Sequence, residues 1–449
     1  MKLNIRSKRY ILAAGAVSFL LSVPMAAQPR YVVTNLGTLG GNSSSAFAIN
    51  SLGQVAGVSG NGSENHAYRT APNRTIKATD DLGTLGGTSS AGNAINDSGQ
   101  VAGSSSTGPQ THAFRSSANG VAPVVLTDLG TFSGASNSFG RGINNSGQVT
   151  GQANVTATAP CFFIFSNSVF RTAASTVSGG DNLGTLLPNN CRSATGIGIN
   201  NSGVVVGDSA TVLASGIPNH AFRSTGTTLV DIHPAGFTSS TATGVNTVNQ
   251  VVGTVVDATN NNRCYRTAAG QPIAMPQDDI GDLGGGFCQA LGINDNGHVV
   301  GTSFDGVAIR AFLYHNNVMY DLNKLIGTAP GVALTIATGI NSSGQISVGG
   351  FAGADFRGFR LDPADAFVTI IIGTLSDPAL GLSAGQTSSL ADKLNNVLAS
   401  IQQRLYKQAT NQLNALINQV QTAVKTGNMS ASTGTVLIDA ANKLVTSIS

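Results

Sequence analysis

The amino-acid sequence predicts a mainly β protein, a seven-bladed β-propeller built from repeats of about 47 residues and followed by a small α-helical bundle. A core of the form Ile-Asn-x-x-Gly-x-Val-x-Gly returns seven times, with minor changes, at intervals of 46 to 56 residues. The residues two and four positions before its asparagine are always Ala or Gly. Beyond residue 380 the apolar residues change to a helical spacing. The repeated asparagines, for which we predict a structural role, are Asn50, Asn96, Asn144, Asn200, Asn246, Asn294 and Asn341.

The composition favours a folded chain with an uncharged polar surface. Of the 449 residues only 10% are charged, 41% are hydrophobic, and Gly occurs 56 times. So little charge and so much Gly would also fit a disordered chain, but disordered segments lack hydrophobic residues at fixed repeat positions. We therefore predict one large folded array over residues 28–362.

Residues 1–27 have the pattern of a secretory signal peptide. Cations between residues 2 and 9 precede an apolar run at 11–23, and small residues follow at 26 and 27. The apolar run is too short to cross about 30 Å of hydrocarbon as a helix, which argues against a membrane anchor. Removal of residues 1–27 takes away four of the 24 cations. The remaining 20 stand against 21 acids, a net charge of −1. We expect a secreted protein, extracellular or periplasmic, with no membrane span after signal removal and no general affinity for nucleic acid.

Each repeat is predicted to form four short strands, which we call a, b, c and d. Strand a ends at the Ile-Asn of the core, and an Asn-Asp-Ser-Gly type segment then makes a tight turn whose Gly is expected at positive φ. Strand b carries Gln-Val-Ala-Gly or its equivalents, strand c carries His-Ala-Phe-Arg, and strand d ends in Asp-Leu-Gly.

The small residues of strand a indicate crowding at the centre of a ring. Their two-residue spacing places them on one face of the strand, with the Ile or Val before the Asn on the other. We expect large strand c residues of the next blade, such as Phe114 and Phe222, to fill the space beside them. A β-helix has much shorter rungs and an array of sandwich domains needs longer repeats, so the propeller fits best.

The segment Asp-Leu-Gly-Thr-Leu-Gly-Gly at 81–87, followed by Ala-Ile-Asn-Asp-Ser-Gly-Gln-Val-Ala-Gly and His-Ala-Phe, resembles the HAF family of bacterial extracellular repeats. The resemblance covers residues 31 to about 362 and is closest in the first two units. An Arg usually stands where that family tends to carry Leu-Trp. The resemblance implies secretion and a propeller-like array, and it implies no defined catalytic activity.

The repeat ends at Leu361, and residues 363–379 are predicted to be a linker. Apolar stripes then predict a three-helix module at 380–449, with Gly427 ending the second helix and Ser430 capping the third. Residues of this module, among them Gly-Gln-Thr-Ser-Ser-Leu-Ala-Asp-Lys-Leu-Asn-Asn-Val-Leu-Ala-Ser-Ile, resemble the helical FIMAH module found at the C-terminus of many secreted bacterial proteins. That resemblance implies an accessory or attachment role.

No spacing in the sequence predicts a metal or cofactor site. His66, His112 and His220 occupy one repeat position in three different blades, so local partners are more plausible than convergence on a metal. The Asn-Asp-Ser-Gly turns resemble calcium loops but lack the carboxylates and the closing Glu of an EF-hand-like loop. For Arg69 and its equivalents on strand c, we predict pairing with the Asp of strand d, such as Asp81, in preference to a basic binding ladder.

Enzymatic function finds little support in the sequence. A glycosidase needs two carboxylates a few ångströms apart, and no pattern brings two loop acids together. No nucleophile elbow, phosphate loop or dinucleotide fingerprint occurs in a fitting context, and Trp is absent. The acids of the variable loops are Glu64, Asp208, Asp257, Asp305 and Asp355.

These features together predict a secreted, non-enzymatic repeat protein that binds an extracellular polymer or protein, with no catalytic, cofactor-binding or metal-binding residues. The alternative is an extracellular propeller hydrolase that cleaves polysaccharide through loop carboxylates.

The order of strands predicts how the ring closes. A d-like segment, Tyr-Val-Val-Thr-Asn-Leu-Gly at 31–37, precedes the first strand a, whereas nothing d-like follows Arg360. The N-terminal segment should therefore supply the outer strand of the seventh blade beside Phe359 to Leu361. Deletion of 28–37 should then destabilise the propeller, and deletion of 380–449 should change its melting little.

The four cysteines are predicted to form two disulfides in an oxidising compartment. Three pairings are possible. The b-to-c and d-to-a loops emerge on one face of the ring, and the pairs Cys161–Cys191 and Cys264–Cys288 would each join one blade to the next there. Free buried thiols are the alternative.

Overall fold

The molecule is a ring of antiparallel β-sheets followed by α-helices. The computed structural model describes residues 28–133, 135–156, 165–173, 177–178, 181–187, 193–211 and 219–449. Within these residues there are seven separate sheets, each forming one blade, and the predicted seven-bladed propeller is confirmed. The predicted signal peptide at 1–27 lies outside the described residues.

The first four blades follow the predicted order of strands from the centre outwards. Strand β1 (Tyr31–Asn35) belongs to the last blade. Blade 1 contains β2 (Ser44–Ile49), β3 (Val55–Gly60) and β4 (Asn65–Arg69), and blade 2 contains β5 (Ser90–Ile95), β6 (Val101–Ser106), β7 (Thr111–Ser116) and β8 (Leu126–Gly130). Blade 3 contains β9 (Ser138–Ile143), β10 (Val149–Thr156), β11 (Phe165–Arg171) and β12 (Asn182–Gly184), and blade 4 contains β13 (Ala194–Ile199), β14 (Val205–Ala210), β15 (Asn219–Thr225) and β16 (Thr228–Asp231).

The last three blades complete the ring. Blade 5 contains β17 (Ser239–Val245), β18 (Val251–Val256) and β19 (Asn262–Arg266), and blade 6 contains β20 (Cys288–Ile293), β21 (Val299–Phe304), β22 (Ile309–His315) and β23 (Val318–Asp321). Blade 7 contains β24 (Val332–Ile340), β25 (Ile346–Ala352) and β26 (Asp355–Pro363), with β1 outermost. In blades 1 and 5 strand d is reduced to a single bridge, which joins Tyr68 to Asp81 and Tyr265 to Asp279.

The ring closes as the order of strands predicts. Strand β1 pairs antiparallel with β26, and Asn35 lies opposite Phe359 while Val33 lies opposite Leu361. The first residues of the propeller therefore complete its last blade. The predicted turn geometry is also confirmed, since Gly99 between strands a and b of blade 2 has a φ of +77°.

A β-bulge interrupts every inner strand, and the sequence analysis did not predict it. In blade 1, Ala46 pairs with Gly57 and Ala48 pairs with Ala56, so that Phe47 between them has no partner on strand b. The same shift occurs three residues before the Asn in all seven blades. A bulge turns one side chain out of the regular alternation. Here it separates the two small residues that strict alternation would place on one face.

The small residues do permit close approach, although the aromatic residues lie elsewhere than predicted. A Cβ atom on Gly142 would lie 3.0 Å from the carbonyl oxygen of Ile197, which belongs to the inner strand of the next blade. Phe114 instead packs over the strand b glycine of its own blade, where a Cβ atom on Gly103 would lie 2.8 Å from the ring. The phenyl ring of Phe114 fills the space between blades, because it shares a core cluster with Ala67 of the preceding blade. The strand b glycine, rather than strand a, makes room for the aromatic residue.

Four helices follow the ring in the described chain. They are α1 (Ala364–Thr374), α2 (Ala384–Gln402), α3 (Tyr406–Lys425) and α4 (Ala431–Ile448). Helices α2 to α4 match the three helices predicted within 380–449. Ser430 caps α4 as predicted, accepting from the Thr433 amide, and Gly427 follows α3 with a φ of +75°.

The segment predicted as a linker, 363–379, differs from that expectation because it contains α1. The buried residues of α1 include Phe367, Val368 and Ile371, whose spacing forms one helical stripe. These side chains share a core cluster with the other helices and with Val32 of β1. The helices therefore pack against the outer strand of blade 7, which covers an edge that would otherwise be open.

Candidate binding site in the central channel

The repeated asparagines form a closed ring of hydrogen bonds around the axis. The side-chain Nδ2 of each Asn donates to the backbone carbonyl oxygen of the equivalent Asn in the next blade, at 2.9 to 3.2 Å, and Asn341 donates to Asn50. Each side chain is nearly inaccessible to solvent. In blade 3, Oδ1 of Asn144 also accepts from the amides of Ser146 and Gln148, which fixes its own turn. One side chain thus holds both a turn and a seam between blades.

The bulged residues line a central channel of about 470 Å³. They stand between the small residues of strand a, where the bulge turns their side chains toward the axis. Towards the Asn ring the wall continues with the Ile and Val residues of the core, such as Ile143 and Val245. Arg141 is the only charged residue among the described residues that line this cavity. The seven bulged residues are Phe47, Asn93, Arg141, Ile197, Thr243, Leu291 and Thr338.

Most polar side chains of the wall are already occupied by contacts between blades. Asn93 Nδ2 donates to the carbonyl oxygen of Gly140 at 2.7 Å. The hydroxyl of Thr243 donates to the carbonyl oxygen of Ala290 at 2.8 Å, and that of Thr338 donates to Ala46 at 2.9 Å. Arg141 is the exception, since its exposed side chain has no hydrogen bond or ion pair with any described residue.

The charge of Arg141 acts on the carboxylate of Asp208. This carboxylate accepts a hydrogen bond from Asn219 Nδ2 on the neighbouring strand and has no salt bridge with Arg141 in the described part of the chain. Burial raises the pKa of Asp208, and the hydrogen bond from Asn219 and the charge of Arg141 oppose that rise. The channel wall therefore carries one cation that no described residue pairs with, and its charge acts on a half-buried carboxylate.

The histidines of strand c have local partners, as the sequence analysis preferred. His66 contacts Asp81 at 2.9 Å through Nδ1, and equivalent pairs join His112 to Asp128 and His220 to Asp231. Across the described ranges, no group of three His, Cys, Asp or Glu residues lies close enough together to hold a metal ion. These histidines therefore fasten strand c to strand d within single blades.

The prediction that strand c arginines pair with strand d carboxylates is wrong in most blades. Arg115 Nη1 donates to the carbonyl oxygen of Gly147 in the next blade at 2.6 Å, and Arg171 and Arg266 make the same contact. In blades 1, 2 and 4 the Asp of strand d is paired with His instead. Of the described arginines at the position of Arg69, only Arg360 pairs with a carboxylate, that of Asp362 on its own strand, and both are buried. The arginines thus link neighbouring blades by reaching a turn glycine.

The loop acids are separated and individually occupied. Asp257 accepts from Thr259, Asn261 and Arg263, and Asp305 accepts from Ala308, Val307 and Arg310. Hydrogen bonds from Thr259 and from Ala308, respectively, hold the pKa values of these two carboxyl groups well below their usual range. Each of these acids closes its own loop, so neither is presented to a second carboxylate as a glycosidase requires.

The remaining acids of the variable loops have local partners as well. Asp355 pairs with Arg357 at 2.7 Å, and Glu64 approaches His66 at 3.5 Å. Together with the contact of Asp208 to Asn219, every predicted loop acid has a partner in its own blade. The structure therefore brings none of the five predicted acids into a shared site.

Two histidine pairs were not expected from the sequence. The rings of His220 and His233 stack with centroids 3.8 Å apart. Nε2 of His298 lies 2.8 Å from Nδ1 of His315, and five of the other six blades carry Gln at the position of His298. Burial, then His315 and Arg266, lowers the pKa of His298 to about 4. No short-range motif in the sequence relates these residues, because they meet through the pairing of strands.

Cys264 and Cys288 form a disulfide between blades 5 and 6, which confirms one of the two predicted pairs. Between other blades the equivalent contact is a hydrogen bond, for example from the Ala113 amide to Ser138 Oγ at 2.9 Å. The two cysteines occupy the Ala and Ser positions of that contact. A covalent bond thus replaces a repeated hydrogen bond. The second predicted pair, Cys161 and Cys191, lies outside the described residues.

Comparison with known proteins identifies no family. No family model matches the chain, and no curated protein matches it. Solved structures that are similar include a gluconolactonase-like protein, at 8% identity and a TM-score of 0.28, covering 56% of this chain and 80% of that one. The WD40 β-propeller domain of Doa1 is similar at 15% identity with a TM-score of 0.28, covering 59% and 89%. Among the described residues, no helix is both long and apolar enough to span a membrane.

Proposed function

We propose that this chain is a secreted, non-enzymatic binding protein for an extracellular polymer or protein, and that the central channel is part of its binding site. The observation that carries the proposal is the guanidinium of Arg141, which has no partner among the described residues, in a channel whose other polar side chains are largely occupied. A polar group left without a partner in a concave, mostly apolar site is typical of ligand binding. Export is proposed from the signal-like segment 1–27 and from the resemblance to HAF repeats.

The side of the ring that carries the b-to-c and d-to-a loops, here named the loop face, is the proposed approach for the ligand. The two kinds of loop are held together by backbone hydrogen bonds, such as Gly41 to Gly60 and Gly87 to Ser106. The opposite side carries the Asn ring and its turns, whose polar groups are paired with each other. A rigid scaffold that displays variable loops on one side is a common arrangement for recognition.

The arrangement of acids supports binding over hydrolysis. Asp257 and Asp305 are engaged by their own loops and have depressed pKa values, so they are poor general acids. A second candidate, the polysaccharide hydrolase, is favoured by one observation only. Asp208 is half-buried, feels the charge of Arg141 and has a raised pKa, which is a property of a general acid.

Incubation of the exported protein with washed producing cells and with a panel of extracellular polysaccharides tests this proposal. We expect saturable binding without release of reducing ends. The variant Asp208→Asn separates the two candidates, because it should not abolish binding by a non-enzymatic protein. Release of reducing ends by the wild-type protein, lost in Asp208→Asn, would replace the proposal with the hydrolase.

A further inference from the structure

The chemistry of the channel indicates what kind of group enters it. Arg141 is the bulged residue of β9, so its side chain leaves the strand toward the axis rather than toward a neighbouring sheet. Its guanidinium carries five N–H donors and stays charged at all ordinary pH values. No described residue accepts a hydrogen bond from it. A free guanidinium in this position matches an anion with two coplanar oxygens, such as a carboxylate.

The rest of the wall indicates an apolar body behind that anion. Phe47, Ile197 and Leu291 line the same level of the channel as Arg141, and the Ile and Val residues before the Asn ring continue the apolar wall. The amide of Asn93 and the hydroxyls of Thr243 and Thr338 already donate across the seams. A sugar, which needs many hydrogen-bond donors and acceptors around it, would find few here.

We infer that the central channel binds a carboxylate carried on an apolar body, with the guanidinium of Arg141 pairing with the carboxylate. This inference rests on the proposed binding function and specifies its ligand. The cavity of about 470 Å³ is within the size range of small-ligand sites. The same chemistry is offered by the C-terminal end of a polypeptide with an apolar last residue and by a free amphiphilic acid.

Substitution of Asp208 tests whether charge near Arg141 affects anion binding in the expected direction. Its charge lies near Arg141, so an ionised Asp208 opposes the binding of an anion, whereas Arg141 favours it. Asp208→Asn should therefore strengthen binding of the carboxylate while Arg141→Gln weakens it. A purely structural role for both residues would not produce opposite effects.

The experiment is titration calorimetry on the full exported chain with four probes. Octanoate is compared with octanol, and a hexapeptide ending in Leu is compared with the same peptide amidated at its C-terminus. We expect the wild-type protein to bind at least one carboxylate and to bind its neutral counterpart at least about tenfold more weakly. Binding of the peptide acid alone identifies a polypeptide end as the source, and binding of octanoate alone identifies a free acid.

Variants complete the test. Arg141→Gln should lower the affinity for the carboxylate by about 10- to 100-fold, and Arg141→Lys should lower it less. Lys393→Gln, which removes an exposed cation on α2, is the charge-matched control and should leave affinity unchanged. Equal affinity of Arg141→Gln and wild type, or equal affinity for acid and neutral probes, would overturn the inference. Retained binding to producing cells would then leave the proposed function standing, whereas loss of all binding to cells and polymers would refute that function itself.

Discussion

Asn341 Nδ2 donates a hydrogen bond of 2.9 Å to the carbonyl oxygen of Asn50, although the two residues are 291 positions apart in the chain. This contact closes the ring of seven asparagines at the same seam where β1 pairs with β26. The seam that joins the two ends of the propeller is therefore held both at the axis and at the outer edge.

Replacement of one ring asparagine should destabilise the whole propeller. In Asn144→Ala, the amides of Ser146 and Gln148 lose their acceptor and the carbonyl oxygen of Asn200 loses its donor. Because the bond to Asn200 is buried and those from the two amides are part-buried, we expect a loss of about 3 kcal/mol in the free energy of unfolding. Denaturant titration measures it, with exposed Asn414→Ala on α3 as the control. A loss no larger than that of the control would contradict a stabilising role for the ring.

The pair His298 and His315 should make the propeller sensitive to mild acid. The folded protein holds the pKa of His298 at about 4, below the ordinary 6.5, so folding favours the neutral ring. Stability should therefore be complete above about pH 6.5 and should decrease as the pH falls toward 4. The groups that face this ring are His315, Asn294 and Arg266.

His298→Gln introduces the residue that most other repeats carry at this position. Melting temperatures at pH 7.5 and pH 4.5 should differ less in this variant than in the wild-type protein. The Gln can accept from Asn294 as Gln250 does from Asn246, which keeps the local hydrogen bond. An unchanged difference between the two pH values would show that other groups cause the acid sensitivity.

Asp208→Asn should stabilise the protein at neutral pH. The pKa of Asp208 is raised by burial, so ionisation costs more in the folded than in the unfolded chain, and stability falls as pH rises through that pKa. The neutral amide avoids this cost and can still accept from Asn219. We expect a higher melting temperature than wild type at pH 7 and nearly equal melting at pH 3. A lower melting temperature at pH 7 would mean that attraction to Arg141 outweighs the cost of burial.

The helices should contribute to propeller stability, which changes an expectation from the sequence. Deletion of 28–37 still removes β1 and should strongly destabilise the ring. Deletion of 380–449, expected to have little effect, would expose Val32 of β1 together with Phe367 and Val368 of α1. We now expect a measurable decrease in melting temperature, since burial of a single such side chain is worth about 2 kcal/mol. Calorimetry of both truncated chains tests these expectations. An unchanged melting temperature after deletion of 380–449 would show that the helices contact the propeller without stabilising it.

Loss of the disulfide should also weaken one seam. Cys264→Ser together with Cys288→Ser opens a loop closed over 24 residues, which corresponds to about 3 kcal/mol if the bond acts by restricting the unfolded chain. Reduced wild type is the control, and peptide mapping without reduction should show Cys264 linked to Cys288. A Cys264 peptide linked to Cys161 would contradict the arrangement of blades.

Features that recur in every repeat can be predicted from the sequence. The Asn core, the turn glycines and the d-like segment at 31–37 recur at fixed spacing, so the number of blades and the closure by β1 could be inferred. The bulge at Arg141 could not, because a pattern of small residues at two-residue spacing is the same with and without an extra residue in the ladder. The candidate site depends on that bulge, which is why the sequence did not single out Arg141.

Errors elsewhere in the prediction have similar physical causes. Arg115 donates to a glycine carbonyl in the next blade, 32 positions away in the chain. The sequence does not indicate this contact, because its acceptor is an uncharged backbone group. The helix α1 falls in the segment predicted as a linker, and its apolar run, Phe-Val-Thr-Ile-Ile-Ile, is rich in β-branched residues, which have low helix propensity. Packing against α2, α4 and β1 outweighs that preference.

The central claim, that the channel is a binding site with Arg141 as its anion-recognising residue, is tested most directly by crystallography with a labelled ligand. Crystals of the full exported chain are soaked in a brominated form of the carboxylate probe that binds, such as 8-bromooctanoate, and the bromine is located by its anomalous scattering. We predict a bromine position among the apolar residues of the channel and carboxylate density within about 3 Å of the Arg141 guanidinium. An empty channel, or bromine found only outside the ring, would contradict the claim.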